Sequence, residues 1–152
     1  MSEDSVSGGC QCGAVRFSVN LPLGRASLCH CRMCQKATGG FFGPFVSVIS
    51  GMTWTRGAPA YFQSSNRVRR GFCAQCGTPL SFEPDTGDVD LSIGAFDDPA
   101  PIRPTIQHDV SARMPWFEDL AGLPVRTREE VEKVQPYFAS IVSLQHPDRD
   151  TD

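Results

Sequence analysis

Long hydrophobic runs are missing from this 152-residue chain. The most apolar stretch, residues 41–49, is broken by Gly43 and Pro44. It is far short of the roughly 20 apolar residues a membrane-spanning helix needs. An excess of positive charge is missing too. The formal charge of −3 offers nothing to a polyanion such as nucleic acid, and Arg67, Arg69 and Arg70 make only a small local basic cluster. The first nine residues have neither a basic region nor an apolar core, which excludes a secretory signal there. The expectation is a cytoplasmic protein without membrane attachment. No internal repeat or low-complexity linker occurs, and twelve prolines with fourteen glycines leave little room for long helices.

What is present is a set of short alternating segments and seven cysteines. Period-two alternation or β-prone composition marks strands near residues 14–19, 41–42, 45–49, 52–55, 60–63, 68–72, 79–82, 89–93 and 106–110. Turn residues separate them every 8–12 positions, the mark of a mainly β domain. One helical turn over residues 33–38 is expected to stop at Gly39-Gly40. The C-terminal part differs. Thr127 with Glu130 forms a capping-box pattern, and Val131, Val134, Phe138, Ile141 and Val142 follow a helical face that Pro136 is expected to break or kink. Trp54, Trp116, Phe41 and Phe42 are expected in the core.

The cysteines fall as a pair (Cys10, Cys12), a trio (Cys29, Cys31, Cys34) and a second pair (Cys73, Cys76). In a reducing compartment such spacings mean metal or catalysis, and an odd count argues against a disulfide framework. Zinc binds thiolates tetrahedrally and takes them as close pairs from separate segments. Each pair is followed by glycine, Gly13 and Gly77, which permits a tight turn that aims amide protons at sulfur. The trio is followed by Gln35 instead. This asymmetry joins pair to pair as a closed structural Cys₄ zinc site and leaves Cys29, Cys31 and Cys34 as an open one. Three alternatives stand beside it: a trio closed by His108 or a carboxylate, a redox-active trio, or the first pair joined to the trio. His30, between two ligands, should point away from a shared metal. An open three-thiolate zinc is soft and favours another sulfur as its fourth ligand, which points to a small thiol substrate.

The chain resembles the glutathione-dependent formaldehyde-activating enzyme family, which includes centromere protein V domains. The residues that carry the likeness are Gly9-Cys-Gln-Cys-Gly13, Cys29-His-Cys-Arg-Met-Cys34 with Lys36, Gly39, Tyr61-Phe-Gln-Ser-Ser65, Arg70-Gly-Phe-Cys-Ala-Gln-Cys-Gly-Thr78, Phe96-Asp-Asp-Pro99, His108, Trp116 and Gly122-Leu-Pro124. The resemblance implies a β-tent of small antiparallel sheets built over two zinc sites, with two Zn²⁺ per chain. It also implies the same division of ligands, Cys10, Cys12, Cys73 and Cys76 structural and Cys29, Cys31 and Cys34 catalytic. The family's activity is that of a carbon–sulfur lyase, joining formaldehyde and glutathione into S-hydroxymethylglutathione. Two departures, Asp119 displaced from its usual place and Ile106-Gln107 before His108, bear on substrate preference. The expected organisation is a polar tail at 1–8, the zinc domain at 9–125, a helical segment packed on it at 126–145 and a frayed tail at 146–152.

Glutathione carries two carboxylates and several amides, so its pocket should offer cations and hydrogen-bond donors. Lys36, Ser64, Ser65, Arg67, Arg70 and His108 are the candidates. The same features also suit a non-catalytic zinc-stabilised module that holds a thiol or a protein partner.

Overall fold

Alternation turns most of this chain into strands. In the computed structural model, which describes residues 4–152, ten strands and two α-helices occur among the described residues. They are β1 (Ser5–Gly9), β2 (Arg16–Asn20), β3 (Ala26–Cys29), α1 (Arg32–Thr38), β4 (Gly43–Ser47) and β5 (Thr53–Arg56), followed by β6 (Ala60–Gln63), β7 (Val68–Phe72), β8 (Pro79–Pro84), β9 (Asp90–Ser92), β10 (Ile106–His108) and α2 (Arg128–Ala139). None of the helices is long and apolar enough to cross a membrane.

Strands β1, β2 and β5 form one antiparallel sheet with β2 in the middle. The second sheet has seven strands in the order β10-β3-β4-β9-β8-β7-β6. All its pairs are antiparallel except β10 with β3. The fold is mainly β with a short C-terminal helix, as the sequence predicts. The parallel pair is an addition that no local pattern announces, because its strands lie far apart in the chain.

In β2, Phe17 and Val19 are fully buried while Asn20 is exposed. Phe17 meets Phe96 and Trp54 edge-on, with ring centroids 5.1 and 6.0 Å away. Such pairs add about 0.5–1.5 kcal/mol beyond area burial. Val46, Leu80 and Leu91 complete the centre of the core. Of the four aromatics expected there, Trp54 packs against Phe17, but Phe41 and Trp116 are 44 % and 40 % exposed. Phe41 falls in the bend between α1 and β4, where no strand turns it toward the core.

The segment expected as a polar tail supplies strand β1 from Ser5 onward; residues 1–3 lie outside the described ones. With Val6 as its one large apolar side chain, β1 shows no alternation to read. Close backbone approach holds it instead. A Cβ at Gly8 would lie 2.3 Å from the Ala95 carbonyl oxygen and 2.4 Å from Phe17 Cζ.

The C-terminal segment expected to fray makes contacts of its own. The chain up to Arg113 together with Gln145–Asp152 makes one compact unit, and Met114–Leu144 a second. The His146 amide donates to the Gln11 carbonyl (2.8 Å), and Asp150 pairs with the buried Arg16 (2.7 Å). A buried guanidinium holds this polar segment, a partner 134 positions away that no local signal reveals.

Within the second unit, Thr127 caps α2 through the expected box. Its hydroxyl accepts from the Glu130 amide (3.3 Å), and its own amide donates to the Glu130 carboxylate (2.7 Å). Pro136 does not end the helix, which runs on to Ala139. Proline there removes one backbone donor close to the helix end, where few bonds remain to be lost.

Candidate metal centres

Two turns of the same design bring the cysteine pairs together. Cys10 and Cys12 lie between β1 and β2, and Cys73 and Cys76 between β7 and β8. The Cys10 amide donates to the Val15 carbonyl (2.9 Å), and the Cys73 amide to that of Thr78 (3.0 Å). Gly13 returns its amide to the Cys10 carbonyl (3.0 Å), and Gly77 to that of Cys73 (2.8 Å). Both glycines have φ of 78°, the left-handed region that other residues enter only with strain. The turn aims the Val15 amide at the Cys10 sulfur (3.3 Å). Gln11 ties one turn to the other, its amide donating to Thr78 Oγ1 (3.0 Å) and its side chain to the Cys76 carbonyl (3.3 Å).

The four sulfurs lie within 4.8 Å of one another, with Cys10 to Cys12 at 3.5 Å and Cys12 to Cys73 at 3.8 Å. A tetrahedron with zinc–sulfur bonds of about 2.3 Å has edges of about 3.8 Å. All seven cysteines are free thiols, so this donor set fits a closed four-thiolate metal site.

The trio is built differently. Strand β3 delivers Cys29, Cys31 caps α1 with its sulfur accepting from the Cys34 amide (3.4 Å), and Cys34 is buried in the first turn. Helix α1 then stops at Gly39, as expected. The three sulfurs also lie within 4.8 Å of one another. His30 is fully buried and turned to the Gln107 side chain (2.8 Å). It is not part of the sulfur group, in keeping with its expected direction.

Protons alone cannot let all these thiols ionise together. Burial acts to raise Cys76, yet hydrogen bonds from the Thr78 hydroxyl and amide lower it to about 6, while burial pushes Cys73 up. In the trio burial pushes Cys29 and Cys34 up. Cys31 is lowered against its burial by the Cys34 amide and its neighbouring thiols. Burial thus works against further thiolates at Cys29, Cys34 and Cys73. A divalent cation removes that limit.

Some of the candidate binding residues gather beside the trio. Arg70, 7 % exposed, donates through Nη2 to the Cys34 sulfur (3.5 Å) and through Nε to Ser64 Oγ (3.0 Å), with its guanidinium 5.0 Å over the Phe82 ring. Lys36, Ser64 and Arg70 line one cavity of about 350 Å³ together with Met33 and Phe62. Ser65 and Arg67 are not brought there. The Ser65 hydroxyl accepts from the Arg67 and Val68 amides (both 3.1 Å), and Arg67 pairs with Asp85. His108 stands opposite Cys29 in the β10–β3 register, with its carbonyl on the His30 amide (3.0 Å) and an exposed side chain.

Two further residues at the trio fall outside the sequence reading. Asp109 Oδ2 lies 3.5 Å from the Cys29 sulfur, on a backbone in the left-handed region (φ 54°). Gln35 is buried and donates to the carbonyls of His30 (2.8 Å) and Ala112 (3.1 Å), which fixes the loop after β10 against α1. Asp109 is the residue after His108, so that loop was within reach of the sequence. A carboxylate stood among the alternatives for closing the trio, but only the β10–β3 register shows which one lies there.

A mainly β fold with one cluster of four thiols and one of three defines a protein with two metal-type cysteine centres. The family model described as glutathione-dependent formaldehyde-activating enzyme matches residues 5–111, and the chain belongs to that family. Among solved structures it is similar to a crystal structure of a Rhodobacter sphaeroides protein, a structural genomics target. That likeness has a TM-score of 0.52 and 21 % identity, over 66 % of this chain and 98 % of the other, and it bears on the fold alone.

Proposed function

We propose that the protein is a zinc-dependent carbon–sulfur lyase that makes or breaks the adduct of a glutathione-type thiol with formaldehyde or another small electrophile. The observation that carries this is the trio: three converging thiols, one of them in contact with the Arg70 that also lines a cationic cavity, in a chain with a separate cluster whose four thiols can hold a structural zinc. A zinc ion held by Cys29, Cys31 and Cys34 supplies a fourth position that favours an incoming thiol as thiolate.

The chain's own residues then bind and orient. Arg70 offsets thiolate charge at Cys34, and Lys36 at the cavity wall offers a cation to a substrate carboxylate. Asp109 stands beside Cys29 as a nearby carboxylate. In the synthetic direction the sulfur–carbon bond forms as the carbonyl π bond opens, and the thiol proton ends on the new hydroxyl oxygen. No electrons enter or leave.

Calorimetric titration of glutathione into wild type and Cys31→Ser tests this. Wild type should contain two zinc ions per chain and bind the thiol, and the variant should lose one zinc and at least roughly tenfold in thiol affinity. Fewer than two zinc ions in wild type, or binding indifferent to the substitution, rejects the proposal. Exchange NMR between formaldehyde, glutathione and adduct then separates turnover from mere thiol binding.

A further inference from the structure

Asp109 is the residue at the trio that the proposed function leaves without a task. Its Oδ2 accepts from the Cys29 sulfur at 3.5 Å, and its charge is felt at the Cys31 thiol too. Among the described residues it is the one non-glycine with positive φ (φ 54°, ψ 46°). Backbone of this kind is costly for a residue with a Cβ, and it gathers at functional sites. Asp109 opens the short turn at residues 110–112, where an aspartate normally offers its carboxylate to the turn's own amides. It makes no such bond here. The Cys29 sulfur is instead its one side-chain partner among the described residues.

The backbone at Asp109 is fixed from both sides. The His108 carbonyl accepts from the His30 amide (3.0 Å), and the Ala112 amide donates to the Asp109 carbonyl (3.0 Å). Buried Gln35 holds the Ala112 carbonyl (3.1 Å). The side chain is exposed, so it can turn about its rotatable bonds without displacing anything packed. A thiol can donate to this carboxylate, but a thiolate that has shed its proton to hold a metal cannot. The carboxylate must then turn out to solvent or join the sulfurs on the metal. Distance favours joining. With bonds of about 2.3 Å to sulfur and about 2.0 Å to oxygen, a tetrahedron has a sulfur–oxygen edge of about 3.5 Å. Asp109 already stands that far from Cys29. Its oxygens are not within 4.8 Å of all three sulfurs, so a turn of the side chain separates standing beside the group from joining it.

We infer that Asp109 is a displaceable fourth ligand, which closes the metal site between turnovers, keeps water out of the fourth position and gives way to a thiol. This rests on the proposed lyase function and names the residue that makes the site select sulfur. Three thiolates make a site soft, so sulfur replaces a carboxylate oxygen there, whereas water and alcohols offer only a neutral, hard oxygen. The thiol gives up its proton as it enters, and the hydroxyl of the adduct takes one up, so protons and electrons balance as before. When the adduct leaves, the Asp109 side chain turns back.

Asp109→Asn and Asp109→Gly test this, since asparagine and glycine both accept a left-handed backbone. Calorimetry measures zinc and glutathione affinities, and thermal unfolding shows that the variants are folded. Both variants should hold the trio's zinc roughly tenfold less tightly. Zinc-loaded, both should bind glutathione roughly tenfold more tightly, because nothing occupies the position it needs. A residue that only supports the loop would not move these two affinities in opposite directions. Cadmium NMR reads the ligands directly. The resonance of the trio should differ between wild type and the variants, while that of the four-thiolate site stays in place. Added glutathione should bring the trio's resonance to one common position in wild type and both variants, since Asp109 has then turned away. A trio resonance indifferent to the substitutions, or glutathione binding no tighter in the variants, overturns the inference and leaves the lyase proposal standing. Tighter glutathione binding in the variants, with no acceleration of adduct exchange by wild type, supports the ligand assignment and overturns the lyase proposal. A wild-type trio that takes up no metal overturns both.

Discussion

Cys73→Ser is expected to leave the chain unfolded at room temperature, and a strong chelator to do the same to wild type. Cys73 is 1 % exposed and belongs to the core cluster together with Cys10, so the proposed four-thiolate zinc is part of the packing. Structural zinc contributes about 10–16 kcal/mol of apparent binding energy at neutral pH. Whole domains have net stabilities of only about 5–15 kcal/mol. Losing one ligand therefore threatens the entire margin. Thiolate ligands must shed their protons to bind metal, so resistance to chelation should also fall as pH drops. Circular dichroism and thermal melts, with and without chelator, measure this. A cooperative melt within a few degrees of wild type would show that the four thiols do not carry the fold.

Asp97→Asn is the second large effect. Arg16 is 3 % exposed and donates to the Asp97 carboxylate at 2.8 and 2.5 Å and to Asp150 at 2.7 and 3.1 Å. Removing one partner of such a buried pair costs about 3–5 kcal/mol, because the remaining charge loses its compensation. In a chain of this size that lowers the melting temperature by roughly 10 °C. Asp150→Asn should cost less, about 1 kcal/mol or below, since Asp150 is 39 % exposed and Asp97 keeps the guanidinium paired.

The pH dependence has a definite sign. Burial acts to raise the Asp97 carboxyl, but hydrogen bonds from Arg16 and Ser7 outweigh it and hold it below the usual range. Its contribution is present in full above the unfolded carboxyl value of about 3.9 and is lost as pH falls through the lower folded value. The stability gap between wild type and Asp97→Asn should accordingly shrink below about pH 4. A gap that stays constant down to pH 2 would contradict the assignment.

Local signals served well wherever the chain reports on itself. The alternating segments became β2 and β5 through β9, Thr127 and Glu130 formed their box, and Gly13 and Gly77 took the positive φ their turns require. Signals failed where distant groups decide. Strand β1 has no alternation and is held by a close approach to Ala95 and Phe17. The C-terminal segment looks solvated and polar, yet Arg16 holds it through Asp150. Among the binding candidates, Ser64 and Ser65 are adjacent and look alike in sequence. One accepts from Arg70 at the trio, while the other closes a turn toward Arg67 and Val68.

By itself the sequence determined the strand-rich class and the division of the cysteines into four and three, because ligand spacing and turn glycines are local chemistry. Tertiary structure alone decided what surrounds the three. Register brought Asp109 to Cys29, a strand pair away in the sheet but 80 positions away in the chain. Packing of α1 against the large sheet put Arg70 on Cys34. The physical reason is range. A metal-binding turn is made by bonds between near neighbours, whereas the shape and charge of a substrate cavity come from side chains that meet only after the sheets have paired.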